Sequence, residues 1–137
     1  MRLFWLMSAP PDGREVLVVD DEADLAFALG LSLELAGYRV RSAASGMEAL
    51  SLIDDHEPDA IVLDLRLPDI DGWEVLSRLA ESGRFPRIPV VIVSAQVDVQ
   101  TSSMAAGLGC HAFLAKPVTA TDLNRALQTA IPDVITG

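Results

Sequence analysis

Cysteine and long apolar runs are both scarce in this sequence. Cys110 is the one cysteine among 137 residues, so no disulfide can form within the chain, and a reducing compartment is expected. No apolar run approaches the ~20 residues that a membrane-spanning helix needs, so we expect no membrane span and a cytoplasmic location. The length suits one domain with its own hydrophobic core.

Positive charge is also scarce. The chain has 20 acidic residues against 10 basic ones, which gives a formal net charge of −10. A domain with this balance lacks the basic face through which proteins bind nucleic acid, so we expect no nucleic-acid partner. Lysine is represented by Lys116 alone, and the other nine bases are arginines.

The amino-terminal residues 1–13 contain a short apolar run, from Leu3 to Met7, followed by Pro10 and Pro11. This run is shorter than the ~7–15-residue core of a secretion signal. We expect residues 1–13 to form a flexible extension, and the alternative is a contact made by Phe4 and Trp5.

From residue 15 onward, apolar runs alternate with segments of helical periodicity. The runs span residues 16–19, 60–63, 90–93 and 112–114, with a weak one at 39–43. Continuous short runs are typical of parallel strands that are covered on both faces. The pattern therefore predicts a (βα)₅ chain, with an open parallel sheet and helices on both sides. Residues 97–107 are the weakest helix prediction, because they are rich in Ser and Thr.

Polar residues follow four of the five predicted strands. Ligands of such sheets bind outside the carboxyl ends of the strands, so these residues are expected to share one site. Taken alone, each residue also has an ordinary structural explanation: a helix N-cap for Glu22, Asp24 or Ser94, a turn for Asp64, and a surface charge for Lys116. The residues at the strand ends are Asp20, Asp21 and Glu22, then Asp64, Ser94 and Lys116.

Four segments resemble the signatures of response-regulator receiver domains: VLVVDDE at 16–22, IVLDLRLPDIDG at 61–72, VVIVSA at 90–95 and AFLAKP at 112–117. The resemblance covers residues 14–131 and leaves 132–137 as a tail. It implies an α/β, doubly wound, flavodoxin-like fold, with a five-stranded parallel sheet in the order 2-1-3-4-5.

The resemblance also implies roles for single residues. Asp64 corresponds to the phosphoacceptor, and Lys116 to the family's basic residue, with a cis bond to Pro117. Asp21 is the expected direct ligand of Mg²⁺ or Mn²⁺, and Asp20 acts largely through water. The remaining correspondences are the backbone carbonyl of Arg66 as a further metal ligand, Ser94 as the switch hydroxyl and Phe113 as the switch aromatic.

The predicted function is that of a signalling phosphoacceptor in a two-component or phosphorelay system. Its implied partners are a sensor histidine kinase or a phosphotransfer protein, and an unidentified output protein or domain. We expect a monomer or weak dimer that catalyses its own phosphorylation and dephosphorylation but is not otherwise an enzyme. Residues 97–107 and 119–131, with the Phe113 strand, are the expected output surface.

Two alternatives remain. One is a metal-dependent phosphohydrolase with an aspartyl intermediate, although Arg66 stands where such an enzyme has its second acid. The other is an interaction module that is not phosphorylated. His56 and His111 are given no role in any of these hypotheses.

Overall fold

A computed structural model describes residues 13–96 and 98–131. Its five parallel strands form one sheet in the order β2-β1-β3-β4-β5, which confirms the predicted topology. Because β1 and β3 are central, they are covered on both faces, and all their residues are buried. The strands are β1 (Glu15–Val19), β2 (Arg39–Ala43), β3 (Ala60–Leu63), β4 (Val90–Ser94) and β5 (Ala112–Ala115).

Five helices alternate with the strands and divide the core into two clusters. One face of the sheet is covered by the first and fifth helices, through residues such as Leu33 and Leu127. The other face is covered by the second, third and fourth, through Ile53, Leu79 and Ala105. The helices are α1 (Ala23–Leu35), α2 (Gly46–Asp55), α3 (Gly72–Glu81), α4 (Val99–Leu108) and α5 (Ala120–Ala130).

The helix starts differ in how they are capped. A side-chain oxygen at the N-cap accepts a backbone N–H in four helices, and these N-caps are Ser45, Asp71, Asp98 and Thr119. Glu22 occupies the N-cap of α1, but its side chain makes no capping hydrogen bond. The capping alternatives for Asp24 and Ser94 are wrong, because Asp24 lies inside the first turn of α1 and Asp98 caps α4.

Three sequence expectations fall wholly or partly on residues that the structure does not describe. The predicted extension at 1–13 is described only at Gly13, and the tail at 132–137 lies outside the described residues. The helix predicted over 97–107 begins at Val99, and Val97 also lies outside the described part. None of the helices described for residues 13–96 and 98–131 has the length and hydropathy needed to cross a bilayer.

Candidate functional site

The sheet itself places three charged residues at its carboxyl edge. The backbone N–H of Asp20 donates to the carbonyl of Ala43 at 3.0 Å, and that of Asp64 donates to Val19 at 3.0 Å. Lys116 continues the ladder in the same way, donating to the carbonyl of Ser94 at 2.9 Å. Each residue follows its strand by one position, so strand pairing fixes the position of the Cα atom that bears its side chain.

The Lys116 ammonium lies among three carboxylates. Its Nζ is 2.9 Å from Asp20 Oδ2, 2.9 Å from Asp64 Oδ2 and 3.1 Å from Glu22 Oε1. Only 13% of the Lys116 side chain is exposed, so the alternative of an ordinary surface charge is wrong. An ammonium with three donors and no acceptor suits this position, since each N–H can point to a different acid.

Asp20 and Asp64 are bound in the same way. Each uses one carboxylate oxygen for Lys116 and the other for the backbone N–H two residues later. Asp20 Oδ1 accepts from Glu22 N at 2.9 Å, and Asp64 Oδ1 accepts from Arg66 N at 3.1 Å. Both residues are buried, at 4% and 5% relative exposure, so these bonds offset the cost of removing the charges from water.

The surrounding acids affect the pKa of Lys116. Burial lowers this pKa, but hydrogen bonds from the ammonium to Asp64, Asp20 and Glu22 raise it by more, so the pKa lies above its usual value. The ammonium therefore stays charged at neutral pH.

Asp21 completes an acidic cluster that could hold a metal ion. One carboxylate oxygen from each of Asp20, Asp21 and Asp64 lies within 4.8 Å of the others. Asp21 is exposed, and no hydrogen bond or ion pair to its carboxylate occurs within residues 13–96 and 98–131. A cluster made only of oxygen donors fits a hard divalent cation such as Mg²⁺, which takes a few carboxylates and keeps water in its other positions.

An open pocket lies beside this cluster. Asp64, Asp21 and Lys116 face it, whereas Asp20 does not line it. Asp64 is thus the buried acid that an incoming group can reach. The other residues that line the pocket are Glu22, Arg66, Leu67, Pro68 and Ala95.

The β3–α3 loop, which forms one wall of the pocket, is held at two points. A Cβ on Gly72 would lie 2.7 Å from the carbonyl oxygen of Asp64, so only glycine lets α3 begin this close to the strand end. Asp69 accepts hydrogen bonds from the backbone N–H groups of Met47 and Gly46 at the start of α2. These bonds, led by the one from Met47, lower the pKa of Asp69 to about 2.

Ser94 and Phe113 lie on neighbouring strands, as predicted. Ser94 pairs with Ala115, and Phe113 pairs with Ile92, two residues earlier on the same face. Ser94 is fully buried, and its Oγ accepts from the Gln96 N–H at 3.2 Å. The Phe113 ring is half-buried against the α2–α4 side of the core.

The sequence-predicted residues are thus largely brought together. Asp20, Asp21, Asp64 and Lys116 form one cluster, and Arg66 lies on the pocket wall. The Lys116–Pro117 bond is cis, as expected from the resemblance. The contact between Glu22 and Lys116 was not predicted, because the position of Glu22 just before the first helix already had a local explanation as an N-cap.

The two histidines lie away from this cluster. His56 is exposed near Glu15, at the opposite edge of the sheet, with 3.8 Å between Nε2 and Oε1. His111 is exposed, and its Nε2 lies 2.7 Å from the Thr129 hydroxyl. Both positions agree with the absence of a role for either residue in the predicted site.

Comparison with known proteins places the chain in a family. The model of the response regulator receiver domain matches residues 16–128. The chain therefore belongs to the response-regulator receiver family, the class of signalling domains found in two-component systems.

Curated relatives and solved structures agree with this membership. Transcriptional regulatory protein KdpE of Mycobacterium tuberculosis is 34% identical over 116 residues, which is 85% of this chain and 50% of KdpE. Response regulator MprA of Mycobacterium sp. (strain KMS) is 36% identical with the same coverage. This chain thus spans about half the length of these curated relatives.

Solved receiver structures share the fold. A putative response regulator from Chloroflexus aurantiacus J-10-fl superimposes with a TM-score of 0.81 at 34% identity, covering 88% of this chain and 98% of that one. A CheY-like receiver domain from Methanospirillum hungatei JF-1 gives a TM-score of 0.79 at 26% identity, with 86% and 93% covered.

Proposed function

We propose that this domain is a phosphoacceptor and that Asp64 carries the phosphoryl group. The observation that supports this most strongly is the placement of Asp64: a buried carboxylate bound to Lys116, at the end of a central strand, facing an open pocket beside Asp21. Asp20 is bound to Lys116 in the same way but does not line the pocket, which favours Asp64 over Asp20.

The reaction is a phosphoryl transfer from a phosphohistidine. An Asp64 oxygen attacks phosphorus and forms a P–O bond, while the P–N bond breaks and its electron pair stays on the donor imidazole, which then takes a proton. Lys116 already touches Asp64 Oδ2 at 2.9 Å, so its ammonium can follow the charge from the carboxylate to the phosphoryl oxygens.

Asp20, Asp21 and Asp64, with the backbone carbonyl of Arg66, would hold Mg²⁺ or Mn²⁺. The bound ion supplies positive charge that neutralises the transferring group. Lys116 cannot do this alone, because the three acids it contacts already exceed its single charge. Asp21, exposed and without a bond partner in the described chain, is the acid most open to a direct ligand role.

The phosphoryl group would then be lost to water. Ala95 lines the pocket and is exposed, so the side of the pocket next to Ser94 is left open to a water molecule or a phosphatase. Arg66 and Gln96 are exposed near the same opening, and we propose that they set how long the phosphoryl group survives.

Ser94 would couple phosphorylation to the surface of the domain. In the described structure the Ser94 oxygen acts as an acceptor from the Gln96 N–H, so its hydroxyl proton remains available for a phosphoryl oxygen. A shift of Ser94 toward Asp64 leaves space that the half-buried Phe113 ring can enter. Through β5 and its neighbours α4 and α5, this changes the proposed output surface.

The partners follow from this chemistry. The donor is a sensor histidine kinase or a histidine phosphotransfer protein, and the output is a protein or domain that binds the α4–β5–α5 surface. The domain works in the cytoplasm as a monomer or weak dimer and catalyses its own phosphorylation and dephosphorylation.

A small acyl phosphate tests the proposal, because it replaces the kinase as donor. We expect intact-mass measurement to show one phosphoryl adduct that forms with Mg²⁺ and is absent with excess chelator. Steady release of phosphate at many turnovers would indicate the phosphohydrolase instead. The absence of any adduct with Mg²⁺ would indicate an interaction module that is not phosphorylated.

A further inference from the structure

Helix α1 exposes a continuous apolar stripe on the side that faces away from the sheet. Its three members lie four residues apart, so they form one line down the helix. Their relative exposures are 73% for Phe27, 47% for Leu31 and 81% for Leu35. Single exposed leucines are ordinary, but an aligned group that includes a phenylalanine is typical of a covered surface. We call these three residues the α1 stripe.

We propose that the apolar run Leu3–Met7 of the same chain docks on the α1 stripe. The run is LFWLM, and it belongs to residues 1–12, which lie outside the described part of the chain. It offers two aromatic and three aliphatic side chains, a composition suited to a surface made of one phenylalanine and two leucines.

The point where the chain enters the domain lies close to the stripe. The carbonyl of Gly13 accepts from Arg39 Nε at 2.7 Å, and that of Arg14 accepts from Arg39 N at 2.8 Å. Arg39 follows Leu35 by only four residues, so Gly13 lies near the carboxyl end of α1. The five residues 8–12 can span up to ~18 Å, and the stripe is about 12 Å long, so the run can reach it.

Charge favours this occupant over a second copy of the domain. Helix α1 contains no basic residue, and the exposed acids Asp24 and Glu34 lie near opposite ends of the stripe. Arg2 directly precedes the apolar run and can meet one of these acids. Two α1 helices packed against each other would instead bring acid against acid in either orientation, which opposes association.

Fluorescence quenching of Trp5 provides the test. The chain has two tryptophans, Trp5 and Trp73, so Trp73→Phe leaves Trp5 as the only tryptophan, and tryptophan-selective excitation avoids emission from Tyr38. In this full-length variant we expect acrylamide to quench Trp5 several-fold less than in a free peptide of residues 1–12. Adding Leu31→Gln should raise quenching to nearly the peptide value. The matched control is Leu108→Gln on α4, where the exposure is 50%, and it should change nothing.

The possible outcomes separate the occupants. Quenching equal to that of the peptide overturns the proposal, and so does protection that survives both Leu31→Gln and Phe27→Gln. Protection that grows with protein concentration, together with a dimer in sedimentation, assigns the stripe to a second copy and also overturns it. Circular dichroism verifies folding, and Phe27→Gln replaces Leu31→Gln if the latter does not fold.

Discussion

The two edges of the sheet each contain a buried carboxylate paired with a basic side chain, and the pairs look alike at first. At the carboxyl edge Lys116 Nζ lies 2.9 Å from Asp64, and at the amino edge Arg41 Nη2 lies 2.9 Å from Glu15. In both pairs the acid is less than a tenth exposed, so each charge needs its partner.

The difference lies in what else each cation contacts. Arg41 also donates to the backbone carbonyls of Leu52 and His56, so its rigid guanidinium joins β2 to the end of α2. The Lys116 side chain contacts three carboxylates, and a fourth carboxylate, that of Asp21, lies beside them at an open pocket. The Arg41–Glu15 pair is balanced in charge and bound to backbone carbonyls, so its role is structural. The acids around Lys116 outnumber it and face a pocket, an arrangement suited to binding a cation and a phosphoryl group.

The largest expected effect is on phosphorylation, which we expect at the carboxyl edge of the sheet and not at the amino edge. Asp64→Asn should remove acyl-phosphate labelling completely, since a carboxamide is a poor nucleophile of nearly the same shape. Asp59→Asn is the control at the amino edge, where Asp59 Oδ2 accepts from Glu15 N at 2.7 Å and an amide oxygen can do the same. Intact mass reports both variants. A full adduct on Asp64→Asn would mean that another aspartate is the acceptor.

Replacing Lys116 or Arg41 with an uncharged residue compares how much each basic side chain contributes to the stability of the fold. Lys116→Met and Arg41→Met should each cost ~3–5 kcal/mol of the free energy of unfolding, because both leave a buried acid unpaired. Mg²⁺ should restore more stability to Lys116→Met than it adds to the parent, since the ion replaces the lost charge. It should add no more to Arg41→Met than to the parent. Urea unfolding with and without Mg²⁺ measures this, and equal gains in both variants would contradict the comparison.

The Asp21→Ala variant tests whether the cluster of carboxylates at the carboxyl edge binds the metal ion. Asp21→Ala should leave the metal-free protein as stable as the parent or more so, because one repulsive charge is gone. The parent should gain ~2.7 kcal/mol from Mg²⁺ at 100 times the dissociation constant, and the variant should lose this gain. Thermal melts provide the measurement, with Asp24→Ala on the first turn of α1 as control. An undiminished gain in Asp21→Ala would refute its ligand role.

The smallest effect concerns the link between the carboxyl edge and the output surface. A hydrogen bond from Ser94 to a charged phosphoryl oxygen is worth ~1.5–3 kcal/mol, enough to shift a two-state equilibrium roughly 10- to 100-fold. Ser94→Ala should still be phosphorylated but should show much smaller amide-resonance shifts from Asp98 to Thr119 with beryllofluoride. Ser103→Ala, an exposed hydroxyl on α4, should behave as the parent. Equal shifts in both would exclude Ser94 as the coupling group.

Much of the fold could be predicted from the sequence, because its signals are local. Short apolar runs identified all five strands to within a residue at each end, and the helical stripes between them identified five helices. The helix predicted over 97–107 begins later, at Val99, because Asp98 accepts from the Thr101 N–H and fixes the first turn. The charged site residues were found for a similar reason, because Asp20, Asp64 and Lys116 each follow a strand directly.

What the sequence determined by itself was the composition of the site: which acids, which hydroxyl and the single lysine stand at strand ends. Only the tertiary structure decided how they pair. The parallel register brings Lys116 to Asp20 and Asp64, which are separated from it by many residues along the chain. Glu22 illustrates the limit, because its position indicated a helix cap, yet its carboxylate binds an ammonium from the other end of the sequence. Charge pairing over such distances depends on the three-dimensional positions of side chains that come from separate strands, and no local pattern specifies these positions.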